Sequence, residues 1–182
     1  LSNANLKSTI EKLLGLKKLP QSFAQKASSV RLNSTSCQVY IGLKKGESIP
    51  DVGDLIFTSD AESFSTEELT DFNTSSRTFS IYYPDTRPHR KDKMYSIVAS
   101  INAKWKDWSN LSAEQYEVEK NRLCEESLCA LEKIIPGIRS KIDHIEAATP
   151  KTIKHYTQHN NGASFGTKFE GLDVSSELPD HA

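Results

Sequence analysis

No stretch of 18 apolar residues occurs anywhere in the 182-residue chain, and its first residues lack a basic segment leading into an apolar core. Neither a bilayer-spanning helix nor a secretory signal is expected. An excess of one charge is missing too: 23 Lys and Arg stand against 24 Asp and Glu, a net charge of -1. That balance gives no global field to draw in nucleic acid, so a nucleic-acid partner is not expected. Cysteine is scarce. Cys37, Cys124 and Cys129 are odd in number and lack paired metal spacing, a pattern that predicts buried, reduced thiols and a cytoplasmic location.

Several catalytic signatures are also missing. There is no Gly-rich phosphate loop, and Gly162-Ala-Ser-Phe-Gly166 follows a short polar helix instead of joining a strand to a helix. On its own, this chain is expected to bind no flavin or nicotinamide tightly. His155 and His159 have the i, i+4 spacing of a metal pair, but no third ligand is evident and no Glu lies between them. No metal is expected, and helix-end or solvent-facing histidines are the better reading. A G-x-S-x-G elbow for a nucleophile is absent as well.

What is present suits one domain over residues 1–182, long enough for a sizeable core. Both ends read as cut: Leu1-Ser2-Asn3-Ala4 resembles a strand tail entering a turn, and Glu177 to Ala182 is a polar, Pro-containing tail. A fragment of a longer protein is therefore expected. Asn5 can cap a helix over Leu6 to Leu14 closed by Gly15, with Leu6, Ile10, Leu13 and Leu14 on one apolar face. Pro20 opens a second short helix with Phe23 inward. Cys37, Val39, Ile41 and Leu43 alternate with Gln38, Tyr40 and Gly42, the period-two pattern of a half-buried strand. Leu55 to Thr58 is a short strand, and Ser65-Thr66-Glu67-Glu68 caps a brief helix before the polar break at Asn73 to Ser76.

Thr78 to Tyr83 and Met94 to Ala103 read as an antiparallel pair joined by a long loop. That loop carries Arg87, His89, Arg90, Lys91 and Lys93, a cluster that reads as solvated, with a phosphate or lipid-headgroup contact as its other reading. Ser112 and Gln115 open the longest helix, whose stripe of Tyr116, Leu123, Leu128, Leu131, Ile134 and Ile135 runs to Pro136-Gly137 and should pack across the sheet. Ile138 to Ala148 is either a helical turn followed by a strand or one continuous edge strand. Glu146 to Gly166 then concentrates unusual features. Thr149 can cap, Pro150 suits the first helical position, and Thr152 to Gln158 can run as a short helix ended by Asn160, Asn161 and Gly162. Gly162 and Gly166 bracket Ala163, Ser164 and Phe165, as if a flat surface approached the backbone, although a helix cap followed by a loop would read the same way.

The strand Cys37 to Lys44, the helix Tyr116 to Gly137 ending in Pro-Gly, and above all Ala148-Thr149-Pro150-Lys151-Thr152 with Tyr156-Thr157, Gly162 and Phe165-Gly166 resemble the substrate domain of phytoene dehydrogenase-like flavoproteins. That group includes carotenoid desaturases, carotene cis–trans isomerases and retinol saturases. The resemblance implies an α+β fold, a mixed, largely antiparallel sheet flanked by helices. It implies FAD in a parent protein, bound by a flavin-binding domain of the same parent chain, with none held by this fragment. The implied partner is an apolar polyene of the carotenoid, polyisoprenoid or retinoid kind, bound against apolar walls while the cofactor carries the electrons. Contact with a membrane surface is open to such a parent. The residues implied to face substrate or cofactor are Thr149, Pro150, Thr152, Tyr156, Gly162, Phe165 and Gly166, with no catalytic residue assigned. The parent is then an enzyme and this fragment alone inactive; the other reading is a stand-alone binding or interaction module.

Overall fold

Alternation of apolar and small polar residues produces the centre of the fold. The computed structural model describes residue 4, residues 6–86 and residues 94–164. Five strands, β1 (Thr35–Leu43), β2 (Leu55–Thr58), β3 (Arg77–Tyr82), β4 (Ser96–Ala103) and β5 (Ile142–Ala148), lie in the order β2-β3-β4-β1-β5. All four pairings are antiparallel, and with the helices they make an α+β fold.

The register aligns the buried positions in rows. Phe79, Ala99, Val39 and Ala147 lie side by side across four strands, and Ile81, Ile97, Ile41 and Ile145 form the next row. Larger and smaller side chains alternate along the first row, the second is four isoleucines, and together they form the apolar surface on which a helix packs. That helix is α5 (Ala113–Ile134), opened by the expected Ser112/Gln115 capping box and burying Leu123, Ser127, Leu128 and Leu131. Gly137, in the left-handed region at φ 77°, turns the chain into a 3-10 segment, Ile138–Lys141, and then into β5. Of the two readings of this stretch, the helical turn followed by an edge strand is the one adopted.

Other short elements close the edges. In α3 (Thr66–Leu69), Ser65 Oγ accepts from the Glu68 N–H at 3.1 Å, while the Glu68 carboxylate accepts from Thr74 and Ser76 hydroxyls. The sequence gives no side-chain cap for α4 (Trp105–Ser109), which forms because Trp108, 3% exposed, anchors it between Phe72 and Tyr116. At the N-terminus, α1 (Leu6–Ser8) runs into a π-helical turn, Thr9–Leu14, and α2 (Gln21–Ser29) follows Pro20. Ile10 and Ala27 form a small second cluster with Phe23 packed on it.

Two expectations are corrected. Leu13 and Leu14 do not share the buried face of Ile10 but are 68% and 46% exposed, because π winding takes more residues per turn and rotates them outward. Not every thiol is buried: Cys37 lies in the core, where burial pushes its thiol well above the usual range. Cys124 is half-buried and also raised, chiefly by desolvation, and Cys129 is exposed beside Arg139. The Asn5 cap and the basic loop cluster lie outside the described residues.

Candidate functional site

The stretch following β5 folds into a tight knot. Thr149 is the extended N-cap of α6 (Pro150–Thr157), and its backbone N–H donates to Thr152 Oγ1 at 3.1 Å. Pro150 occupies the first helical position, where its missing N–H costs nothing. Gln158, at φ 58°, ends the helix, earlier than the expected stop at Asn160 to Gly162. A 3-10 turn, Asn160–Gly162, then folds the chain back onto the start of α6.

Three of the candidate residues are enclosed by that turn. Thr149 is fully buried, Pro150 is nearly so, and Gly162 lies against the Pro150 carbonyl. The Gly162 carbonyl accepts from the Thr35 hydroxyl, Ser164 Oγ lies 3.1 Å from Ser36 Oγ, and His159 Nδ1 lies 2.8 Å from the Ala163 oxygen. The first two contacts tie the knot to the beginning of β1, and the third closes it on itself. Thr152 is half-buried, whereas Tyr156 is 80% exposed on the projecting end of α6, edge-on to His155. Phe165 and Gly166 lie outside the described residues. The structure thus brings Thr149, Pro150, Thr152 and Gly162 together and leaves Tyr156 apart.

Sequence reasoning missed the residue that locks the knot to the rest. Tyr116, on α5, shares a 2.8 Å hydrogen bond with the Thr149 hydroxyl and lies 3.4 Å from Thr152 Oγ1. Lys151 sits 4.9 Å above its ring, and Lys154 caps Trp105 at 4.5 Å. Tyr116 read as one more member of the apolar stripe, and nothing in the sequence marked its hydroxyl as engaged.

A second feature is the face of the sheet turned away from α5. Leu55 and Phe57 of β2, Thr78, Ser80 and Tyr82 of β3, Ser96, Val98 and Ser100 of β4, and Gln38 and Tyr40 of β1 occupy the alternate positions. These positions are half-buried or exposed, whereas Ser36, at the start of β1 on the same face, is buried beneath Ser164. Leu55 and Phe57 are 69% and 52% exposed, and Phe64, 75% exposed, stacks edge-on against Phe57. The alternation that marks this face was legible, but its sequence reading went no further than the outward side of β1.

Other openings suit an apolar ligand less well. A cleft of about 440 Å³ beside Ser34 and Trp105 is lined in part by Glu67 and Lys104. Among the described residues, no group of three or more His, Cys, Asp or Glu side chains could hold a metal, and no helix is long and apolar enough to cross a membrane. A flavin does not fit the knot: the turn at Gly162 is filled by the Pro150 carbonyl, and the neighbouring polar groups already have protein partners.

The described residues thus form an α+β fold in which α5 packs on one face of the five-stranded sheet. No family model matches the chain. Over 57 residues it is 37% identical to the prolycopene isomerase, chloroplastic, of Daucus carota, a stretch covering 31% of this chain and 9% of that protein. The match thus spans under a tenth of the relative's length, and it supports a partial relation to a carotenoid isomerase.

Proposed function

We propose that this chain is the substrate-binding domain of an FAD-dependent oxidoreductase or isomerase acting on carotenoid, polyisoprenoid or retinoid-like polyenes. The observation that carries the reading is the partial similarity to a prolycopene isomerase. The sheet face turned away from α5 adds physical support. A polyene is long, flat and weakly polar, and Leu55, Phe57, Phe64 and Val98 offer it apolar surface along a floor of small side chains.

When bound, FAD supplies the electron transfer, and the residues of this chain do not cradle it. It belongs to a flavin-binding domain of the same parent chain. The projecting end of α6, with Tyr156, is the part of the candidate stretch available to such a neighbour, while Thr149, Pro150 and Gly162 hold that helix in place. Which step the parent performs, desaturation, saturation or isomerisation, is a choice made by the flavin and its surroundings.

The test uses the parent protein with its preceding segment, incubated with a cis polyene while the visible spectrum is followed. Conversion is expected, and Val98→Trp, which fills the middle of the open face, should abolish it while flavin content stays unchanged. A parent that purifies without flavin overturns the enzyme reading in favour of a stand-alone module. Unimpaired turnover in the Trp variant removes the sheet face from the site.

A further inference from the structure

We infer that Asn161 is a site of spontaneous deamidation and isoaspartate formation, held in check while the knot is closed and opening it irreversibly once it occurs. The chemistry needs only this chain and water. The Gly162 backbone nitrogen attacks the side-chain Cγ of Asn161, the Asn161 amide nitrogen leaves as ammonia with the proton of the Gly162 N–H, and a five-membered imide remains. Water then opens the imide at either carbonyl, giving an aspartate or an isoaspartate whose backbone runs through the side chain. No electrons are gained or lost. Gly162 has no side chain to shield its nitrogen, and Asn161 is exposed to water.

The native geometry keeps the two reacting groups apart. Asn161 is left-handed, with φ 55° and ψ 24°, and Gly162 follows at φ 59°. Closing the imide requires the Gly162 nitrogen to eclipse the Asn161 Cβ about the Cα–C bond, and at that ψ it lies on the far side instead. The Gly162 N–H is also occupied, donating to the His159 carbonyl at 3.1 Å. Reaction therefore needs a local opening in which the turn rotates, and its rate follows the population of the opened turn. An isoaspartate adds one carbon to the backbone beside Gly162, which sits against the Pro150 carbonyl with no room for even a Cβ. The lengthened turn cannot return both the Gly162 carbonyl to Thr35 and Ser164 to Ser36, so α6 is released from the start of β1.

The experiment incubates the full 182-residue chain in neutral buffer, native and unfolded in urea, and follows the peptide holding Asn161 by mass spectrometry that separates its aspartyl and isoaspartyl forms. The native chain should react at least about tenfold more slowly than the unfolded one. Thr35→Val, which removes the hydroxyl donated to the Gly162 carbonyl, should raise the native rate about two- to tenfold, the equivalent of one net hydrogen bond, and leave the unfolded rate unchanged. Circular dichroism checks folding, and Ser36→Ala, which removes the other tie, serves if Thr35→Val is unfolded. Asn161→Gly should show no modification at this position. In the isoaspartyl protein, amide exchange should quicken at Ala163 and Ser164, whose N–H groups donate to the Asn160 and Ser34 carbonyls. Equal native and unfolded rates, a native rate that the tie variants leave unmoved, or unchanged exchange in the isoaspartyl protein each overturn the inference.

Discussion

Gly162 and Pro150 meet backbone to backbone. With φ at 59°, Gly162 is in the left-handed region, and a Cβ added there would lie 3.0 Å from the Pro150 carbonyl carbon and closer still to its oxygen. The flat surface that the glycine accommodates is thus a peptide group of the chain itself. Both the dihedral and the contact call for glycine, and the two can be separated.

Gly162→Ala should lose roughly 1–3 kcal/mol or more in urea denaturation, since it combines backbone strain with a clash. Asn tolerates the left-handed region, yet Gly162→Asn should be no better, because its Cβ meets the same carbonyl. The neighbouring Asn161, at φ 55°, is the control: Asn161→Gly should stay within about 0.5 kcal/mol. Recovery of stability in the Asn variant would show that the dihedral alone matters.

Leu131 is fully buried in the last turn of α5, as part of the core. Leu131→Ala should cost about 2–5 kcal/mol, the transfer term plus the cavity left behind. Glu125→Ala, on the outward side of the same helix, should change stability by no more than about 0.5 kcal/mol. Chemical denaturation of the two variants compares them directly, and the reverse ranking would mean that the helix presents its other side.

Much of this fold is legible because it rests on periodicity. Cys37, Val39, Ile41 and Leu43 announce β1, the Ser112/Gln115 box announces α5, and both appear where the sequence puts them. The losses have physical causes. Leu13 and Leu14 are misplaced because a π turn breaks the 3.6-residue period on which the expectation rests. Helix α4 has no capping side chain and is held by tertiary packing of Trp108. The knot was located correctly as a cap and turn, but the partner that fills it, the Pro150 carbonyl, is a backbone group and leaves no compositional trace.

The Tyr116–Thr149 hydrogen bond should be measurable as a coupling. Tyr116→Phe and Thr149→Val each leave a partner hydroxyl in a largely dry place, so each should cost about 1–3 kcal/mol. Because Thr152 Oγ1 lies within reach of both hydroxyls, part of the loss can be recovered by rearrangement. The double variant should be less destabilised than the sum, with a coupling of about 0.5–1.5 kcal/mol in a double-mutant cycle. Additive effects would mean that α6 is held by packing alone.

Glu125 should titrate low. Its carboxylate receives hydrogen bonds from Arg139, the main cause of a folded pKa below the ordinary glutamate range. A depressed folded pKa contributes stability above the unfolded pKa, and the contribution disappears as pH falls through the folded value. Both groups are exposed, so the gain is small and should shrink with added salt. Carboxyl chemical shifts followed against pH should show the low midpoint, and Arg139→Gln should return it toward the usual range. An unchanged midpoint in that variant would mean that another group holds it down.

Arg77 opens β3 and is 4% exposed, a cation carried inside. Its Nη2 lies 2.7 Å from Glu126, Nε donates to Ser127 Oγ, and Nη1 donates to the Thr74 carbonyl, so one side chain joins the sheet, α5 and the turn before β3. A buried cation without its counter-ion is worse than no cation, which fixes the order of three variants. Glu126→Ala strands the guanidinium and should cost about 3–5 kcal/mol, reduced toward the lower end because Glu126 is itself 41% exposed. Arg77→Met keeps the stem's volume and removes the charge; Ser127 still donates to the Leu123 carbonyl, so this variant should lose less. With the cation gone, adding Glu126→Ala to Arg77→Met should change little more than the Arg122 pair on the surface is worth, below about 1 kcal/mol. Thermal or urea denaturation of the three gives the order. If Arg77→Met proved worse than Glu126→Ala, the guanidinium's hydrogen bonds to Thr74 and Ser127 would outweigh its pairing with Glu126 in holding β3, and with it Thr78 on the open face, against α5.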